Sequence, residues 1–157
     1  MKEAGKPKYE EALVVKDLMN VLINKYHNEL SDAYIHCLFR NDKWESKGQT
    51  IYGTAEKVPE KWKHITGFDL LITINREVWD VATSEMREAL VDHELTHFCC
   101  DVNEKTGEVK YSLQNHSVED FVSIVRKHGA WTSALKNLLK AEEEFSQESI
   151  FDKENVS

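Results

Sequence analysis

The chain has 157 residues, a net charge of −8, 41% apolar and 31% charged residues. That length bounds one domain able to bury a core without staples, hiding roughly two-thirds of its unfolded surface. No apolar run approaches the ~20 residues of a membrane span, Met1–Glu10 holds no apolar stretch of a secretory signal, and the negative charge disfavours nucleic acid as a partner.

Three cysteines, Cys37, Cys99 and Cys100, are odd in number and include an adjacent pair. This pattern fits a reducing, cytoplasmic compartment better than a disulfide framework. Much of the acidity gathers at the C-terminus, in Glu142, Glu143, Glu144, Glu148, Asp152 and Glu154. Residues 1–140 are expected to form the single domain, with 141–157 an acidic, partly disordered tail.

Apolar residues at Leu13, Val14, Leu18, Val21, Leu22 and Tyr26 recur with helical period, predicting an amphipathic helix from Tyr9 to about Leu30. Strands are expected at Ala33–Arg40, at Gln49–Val58 and at Phe68–Ile74. Gly53, inside the second of these, signals a bulge or a close backbone approach. Trp79 falls in a connection, and Thr83 or Ser84 caps a helix running to about Cys100. A short strand, Glu108–Leu113, follows. A helix is expected to open at His116 and Ser117 and stop at Gly129, and a last one to begin near Ala130, with Trp131, Leu135, Leu138 and Leu139 inward. Strands followed by helices indicate an α+β fold with a small, mostly antiparallel sheet of three to five strands.

The central helix contains His93-Glu94-Leu95-Thr96-His97. On a helix, residues four apart lie only about 40° from each other, so both imidazoles can reach one metal ion and Glu94 a water on it. This is the H-E-x-x-H pattern of zinc peptidases. Apolar residues on both sides of this helix predict that it is buried, and buried polar groups need partners. Zn²⁺ with its water would supply them.

A catalytic zinc takes three protein ligands and keeps one position open. The metzincin extension is absent, since Cys100 and Asn103 stand where its glycine and histidine would be. His116 and Glu119 are the candidates for the third ligand. His116 is preferred because a ligand at a helix start can be aimed by the incoming strand, and Glu119 could instead orient an imidazole N–H.

The stretches Gly53-Thr54-Ala55, Gly67-Phe68-Asp69, Trp79, Leu90–His97, His116–Phe121 and Gly129-Ala130-Trp131 resemble the family of putative phage metallopeptidases. That resemblance spans roughly Tyr34 to Trp131. It implies a zincin-like domain acting in a host cytoplasm. A more distant similarity is to SprT-like zinc proteases, which place a third histidine at a helix start shortly before a phenylalanine, as His116 and Phe121 stand here.

The sequence therefore predicts a zinc metallopeptidase acting on a peptide or protein. His93, His97 and His116 hold Zn²⁺, and Glu94 is the general base. Phe68–Ile74 is the expected edge for an extended substrate, and Tyr52, Tyr111 and His128 are candidates to stabilise the oxyanion. The alternative is a non-catalytic zinc-binding phage factor that captures a host protein.

Overall fold

The computed structural model describes residues 5–154. A short strand, β1 (Tyr9–Glu11), leads at Ala12 into helix α1 (Leu13–Tyr26). The Ala12 amide donates to the Cys37 carbonyl at 3.0 Å, which fixes how the helix enters. Its buried face is Val15, Met19, Leu22 and Ile23. Most of the stripe expected to face inward, Leu13, Val14, Val21 and Tyr26, is exposed. Both stripes have helical spacing, and the strand pairing of β1, which periodicity does not encode, selects between them.

After a 3-10 turn (Asn28–Leu30) comes β2 (Ile35–Arg40), then a tight hairpin, β3 (Glu45–Ser46) and β4 (Gln49–Thr50), closed by Lys47 and Gly48 at positive φ. Next are β5 (Gly53–Lys57), α2 (Glu60–Thr66), β6 (Leu70–Asn75) and α3 (Arg76–Val81). α2 was not expected, although Glu60 in its first turn and Gly67 in the left-handed conformation at its end are ordinary helix signals. α3 was also read as a connection. Asn75 caps it by accepting from the Glu77 amide, and Trp79 is buried.

The main sheet has the order β1-β2-β6-β5. β2 and β6 are parallel, and the other two pairs are antiparallel. Ile35, Cys37 and Phe39 lie opposite Leu70, Ile72 and Ile74, so one face presents a continuous apolar surface. α1 covers this face together with α4 (Ser84–Thr96). Each aliphatic side chain buried there contributes about 1.5–3 kcal/mol. β6 is the central strand, so its backbone groups are already paired on both sides. The expectation that it offers an edge to a peptide is corrected: that edge belongs to β5.

α4 is followed by a hairpin of β7 (Phe98–Val102) and β8 (Val109–Leu113). Cys99 and Cys100 thus lie in a strand, not in the helix expected to reach Cys100.

The contacts divide the chain into two units at Gln114. In the second, residues 115–121 are irregular, and α5 (Val122–His128) ends at Gly129, whose φ is 68°. Asp120 accepts a hydrogen bond from the Trp131 indole at 2.9 Å, closing the loop around this helix. Thr132 accepts from the Leu135 amide and starts α6 (Ser133–Glu154). Leu135 is buried, but Trp131, Leu138 and Leu139 are more than half exposed, not inward as expected. α6 carries all six residues of the acidic cluster, and residues 155–157 of the expected tail lie outside the described residues. The fold is mixed α+β, as the sequence indicates.

Asn75 is 1% exposed. Its side chain donates to the Ile51 carbonyl at 2.9 Å and accepts from Glu77 at 3.1 Å. Asn75→Ala leaves two backbone groups without these partners, and the expected loss is about 1–3 kcal/mol. A urea titration reads it as a lower midpoint with unchanged slope. An unchanged midpoint would show that Asn75 does not brace this region.

Candidate metal centre

α4 begins where Thr83 Oγ1 accepts the Met86 amide at 3.2 Å, with Glu85 in the first turn favoured by the helix dipole. One face, Val91 and Leu95, is fully buried. The Arg87 guanidinium donates to the Trp79 carbonyl at 2.9 Å and lies over its ring. His27, at the end of α1, meets the Asp92 carboxylate through Nε2 at 2.6 Å. These contacts fix how α4 is rotated against the sheet.

That rotation turns the His93 face away from the core. The helix was expected to be buried on both sides. Instead Val91, Glu94 and Leu95 are its buried residues, while His93 and Met86 are exposed and His97 is half-buried. The helix formally ends at Thr96, but His97 keeps helical angles, φ −66° and ψ −23°. The two imidazoles therefore retain one-turn spacing, with ring centroids 5.1 Å apart.

His97 is held by its surroundings. Its Nδ1 lies 2.7 Å from the Gln114 carbonyl. A carbonyl can only accept, so Nδ1 carries the proton and Nε2 presents its lone pair. Gln114 is itself fastened to the end of α4. Its amide donates to the His97 carbonyl at 2.7 Å, and its side chain donates to the Thr96 carbonyl at 2.6 Å. Sequence reading passed over Gln114, because an exposed glutamine carries no signal of this role.

Glu94 is only 3% exposed. Burial pushes its carboxyl up to about 7, partly offset by His97. Its carboxylate rests against the first residue of β5. A Cβ built on Gly53 would stand 3.2 Å from Glu94 Oε1, 3.0 Å from the Thr73 carbonyl oxygen and 3.1 Å from Ile74 Cδ1. The close approach expected at Gly53 is thus that of the Glu94 side chain.

Beside Glu94 and His93 opens a cleft of about 490 Å³, walled by Ile51, Tyr52, Val78, Met86 and Leu90. Of the three oxyanion candidates, Tyr52 lines this cleft. Tyr111 is buried in the core, where desolvation raises its pKa. His128 closes α5 in the second unit.

His116 and Glu119 fall in the second unit, both exposed, within the irregular residues before α5. The helix expected to open at His116 starts only at Val122. The sequence 114–121 has apolar residues at Val118 and Phe121 that mimic the period, but Phe121 is 76% exposed. Cys100, on β7, shares no helix face with the histidines.

Two imidazoles one turn apart, with one ring nitrogen of His97 pinned by a carbonyl, are a donor set suited to a divalent metal. Residues 7–142 match the family model described as putative phage metallopeptidase. No curated protein matches the chain at a significant level. Membership in a metallopeptidase family implies a bound metal and a peptide or protein substrate. Among the described residues, no helix is long and apolar enough to cross a membrane.

Gly53→Ala places a methyl group into three contacts tighter than ordinary packing, one of them with Glu94. The expected cost is about 1–3 kcal/mol. Thermal unfolding of the metal-free protein tests this, and an unchanged midpoint would mean that β5 and Glu94 separate easily.

Proposed function

The chain belongs to the putative phage metallopeptidase family, and from that membership and the arrangement on α4 we propose that it is a zinc-dependent peptidase with Glu94 as general base. The observation that carries this reading is the placement of Glu94. It is a buried carboxylate beside His93, on the wall of a cleft wide enough for a substrate. A zinc site that serves structure alone has no use for a carboxylate held in that position.

In this reading His93 and His97 contribute two ligands, His97 through Nε2. His116 contributes the third. It follows Gln114 by two residues, a chain reach of at most about 7 Å, and Gln114 is bonded to His97 and Thr96. Glu119 is the alternative ligand, or orients an imidazole N–H. Bound Zn²⁺ would acidify a water and polarise the scissile carbonyl.

Glu94 accepts a proton from the attacking water, so that the new bond forms between the water oxygen and the carbonyl carbon. As the C–N bond breaks, Glu94 returns that proton to the leaving nitrogen. Burial keeps bulk water from its carboxylate. Tyr52, on the same cleft, is the side chain best placed to meet charge developing on the carbonyl oxygen.

Glu94→Gln keeps the shape of the side chain and removes the base. In zinc-loaded protein it is expected to lower peptide hydrolysis by about 10²–10⁴-fold, with zinc content unchanged by metal analysis. Full activity in this variant would refute the mechanism. Wild-type protein that binds zinc but hydrolyses no peptide in a broad library would favour the capture factor instead.

The same metal analysis separates the third-ligand candidates. His116→Ala is expected to weaken zinc binding more than Glu119→Ala does, and the reverse order would give the ligand role to Glu119.

A further inference from the structure

Helix α4 passes straight into a strand. Thr96 ends the helix, Phe98 opens β7, and only His97 stands between them. The last carbonyls of a helix lack partners within it and are commonly met by a glycine turn. No glycine follows here. His97 instead turns its amide back on the helix and donates to the Glu94 carbonyl at 3.2 Å.

The hairpin supplies what the helix lacks. β7 and β8 pair with Phe98 opposite Leu113, so the next pair along the ladder is His97 with Gln114. A hydrogen-bonded antiparallel pair exchanges two N–H···O bonds. Only one forms here, from the Gln114 amide to the His97 carbonyl at 2.7 Å, because the His97 amide already serves the helix. The Gln114 carbonyl that would have accepted that amide faces the His97 imidazole instead, with Nδ1 at 2.7 Å. The imidazole thus occupies a place in the ladder that a backbone N–H would ordinarily fill.

Of the contacts that Gln114 makes, one depends on which residue stands there. Any amino acid but proline brings the amide and the carbonyl. Glutamine adds a side-chain amide that donates to the Thr96 carbonyl at 2.6 Å, a second attachment to the helix end. With the backbone bond alone, the peptide at 114 can pivot about it, and the carbonyl facing Nδ1 swings with it. The side chain removes that freedom. All of these bonds lie within the first unit.

Resting on the zinc reading above, we propose that Gln114 is a positioning residue of the metal centre. Its side chain holds the end of α4, which keeps its main-chain carbonyl on His97 Nδ1–H and so fixes the tautomer and the aim of Nε2. Gln114 gives the metal no ligand of its own. It raises affinity because an imidazole already in the right tautomer and orientation loses less freedom on binding. Gln114 is exposed, so water can take over the Thr96 carbonyl when the side chain is changed, and the fold itself has little at stake.

Gln114→Met keeps the length of the side chain and removes its donor. Ser112→Met, also at an exposed position of the hairpin, controls for a methionine placed there. Zinc dissociation constants are measured by competition with a chromophoric chelator. The His97 tautomer is read in metal-free protein at about pH 8, above the usual imidazole range, by long-range proton–nitrogen correlation, with His97→Gln to assign the signals. Wild type and Ser112→Met are expected to show mainly the Nδ1–H tautomer and to bind zinc alike. Gln114→Met is expected to bind zinc about tenfold or more weakly and to gain the Nε2–H tautomer. A helix cap that served stability alone would move only the unfolding midpoint. An unchanged zinc affinity or an unchanged tautomer in Gln114→Met would therefore overturn the proposal and leave the metal centre standing. Wild-type protein that binds no zinc would remove the peptidase reading and this inference with it.

Discussion

A carboxylate kept at 3% exposure is costly unless its surroundings take up the charge or it keeps its proton. Glu94 rests against the sheet edge at Gly53, lines the cleft that Met86 and Leu90 also line, and feels the charge of His97. Burial accordingly lifts its pKa to about 7. Much of the first unit can be read as the apparatus that holds this one side chain in place.

That apparatus acts through α4. Val91 and Leu95 are wholly buried in the core, where α4 packs on α1 and against β5, which sets the depth of the helix. Arg87 on Trp79, and His27 on Asp92, set its rotation. Gln114 ties down its last turn through three hydrogen bonds. Only with the rotation fixed do His93 and His97 turn outward while Glu94, between them in sequence, turns inward. A site carried on a braced helix holds its geometry better than one carried on a loop.

The sequence revealed the parts of this arrangement that depend on local periodicity. β2 and β6 announce themselves by β-branched and aromatic runs, β5 by Ile51 and Tyr52 just before it, Thr83 by its position before the helix, and His93–His97 by its spacing. What escaped depends on pairing between distant segments. Which stripe of α1 is buried follows from β1 lying on β2, and which strand is the edge follows from β5 folding back onto β6. Residues 98–100 read as a continuation of α4 because Phe98 and Cys100 fit the helical period, yet they belong to β7 and pair with β8. Residues 114–121 show the same ambiguity in reverse. A helix was inferred there from Val118 and Phe121, whereas the chain stays irregular until Val122.

The edge position of β5 and the glycine that opens it depend on one another. An edge strand leaves backbone groups ready for another chain and is ordinarily blunted or covered. Here Glu56 and Lys57 charge its far end, while Gly53 and Ala55, at the end near Glu94, carry almost no side chain. A larger residue at Gly53 would displace the carboxylate. The segment before it is fixed from behind by Asn75, which donates to the Ile51 carbonyl from its side chain and to the Tyr52 carbonyl from its backbone. The buried asparagine and the missing side chain therefore act together to hold the place against which the buried Glu94 carboxylate rests.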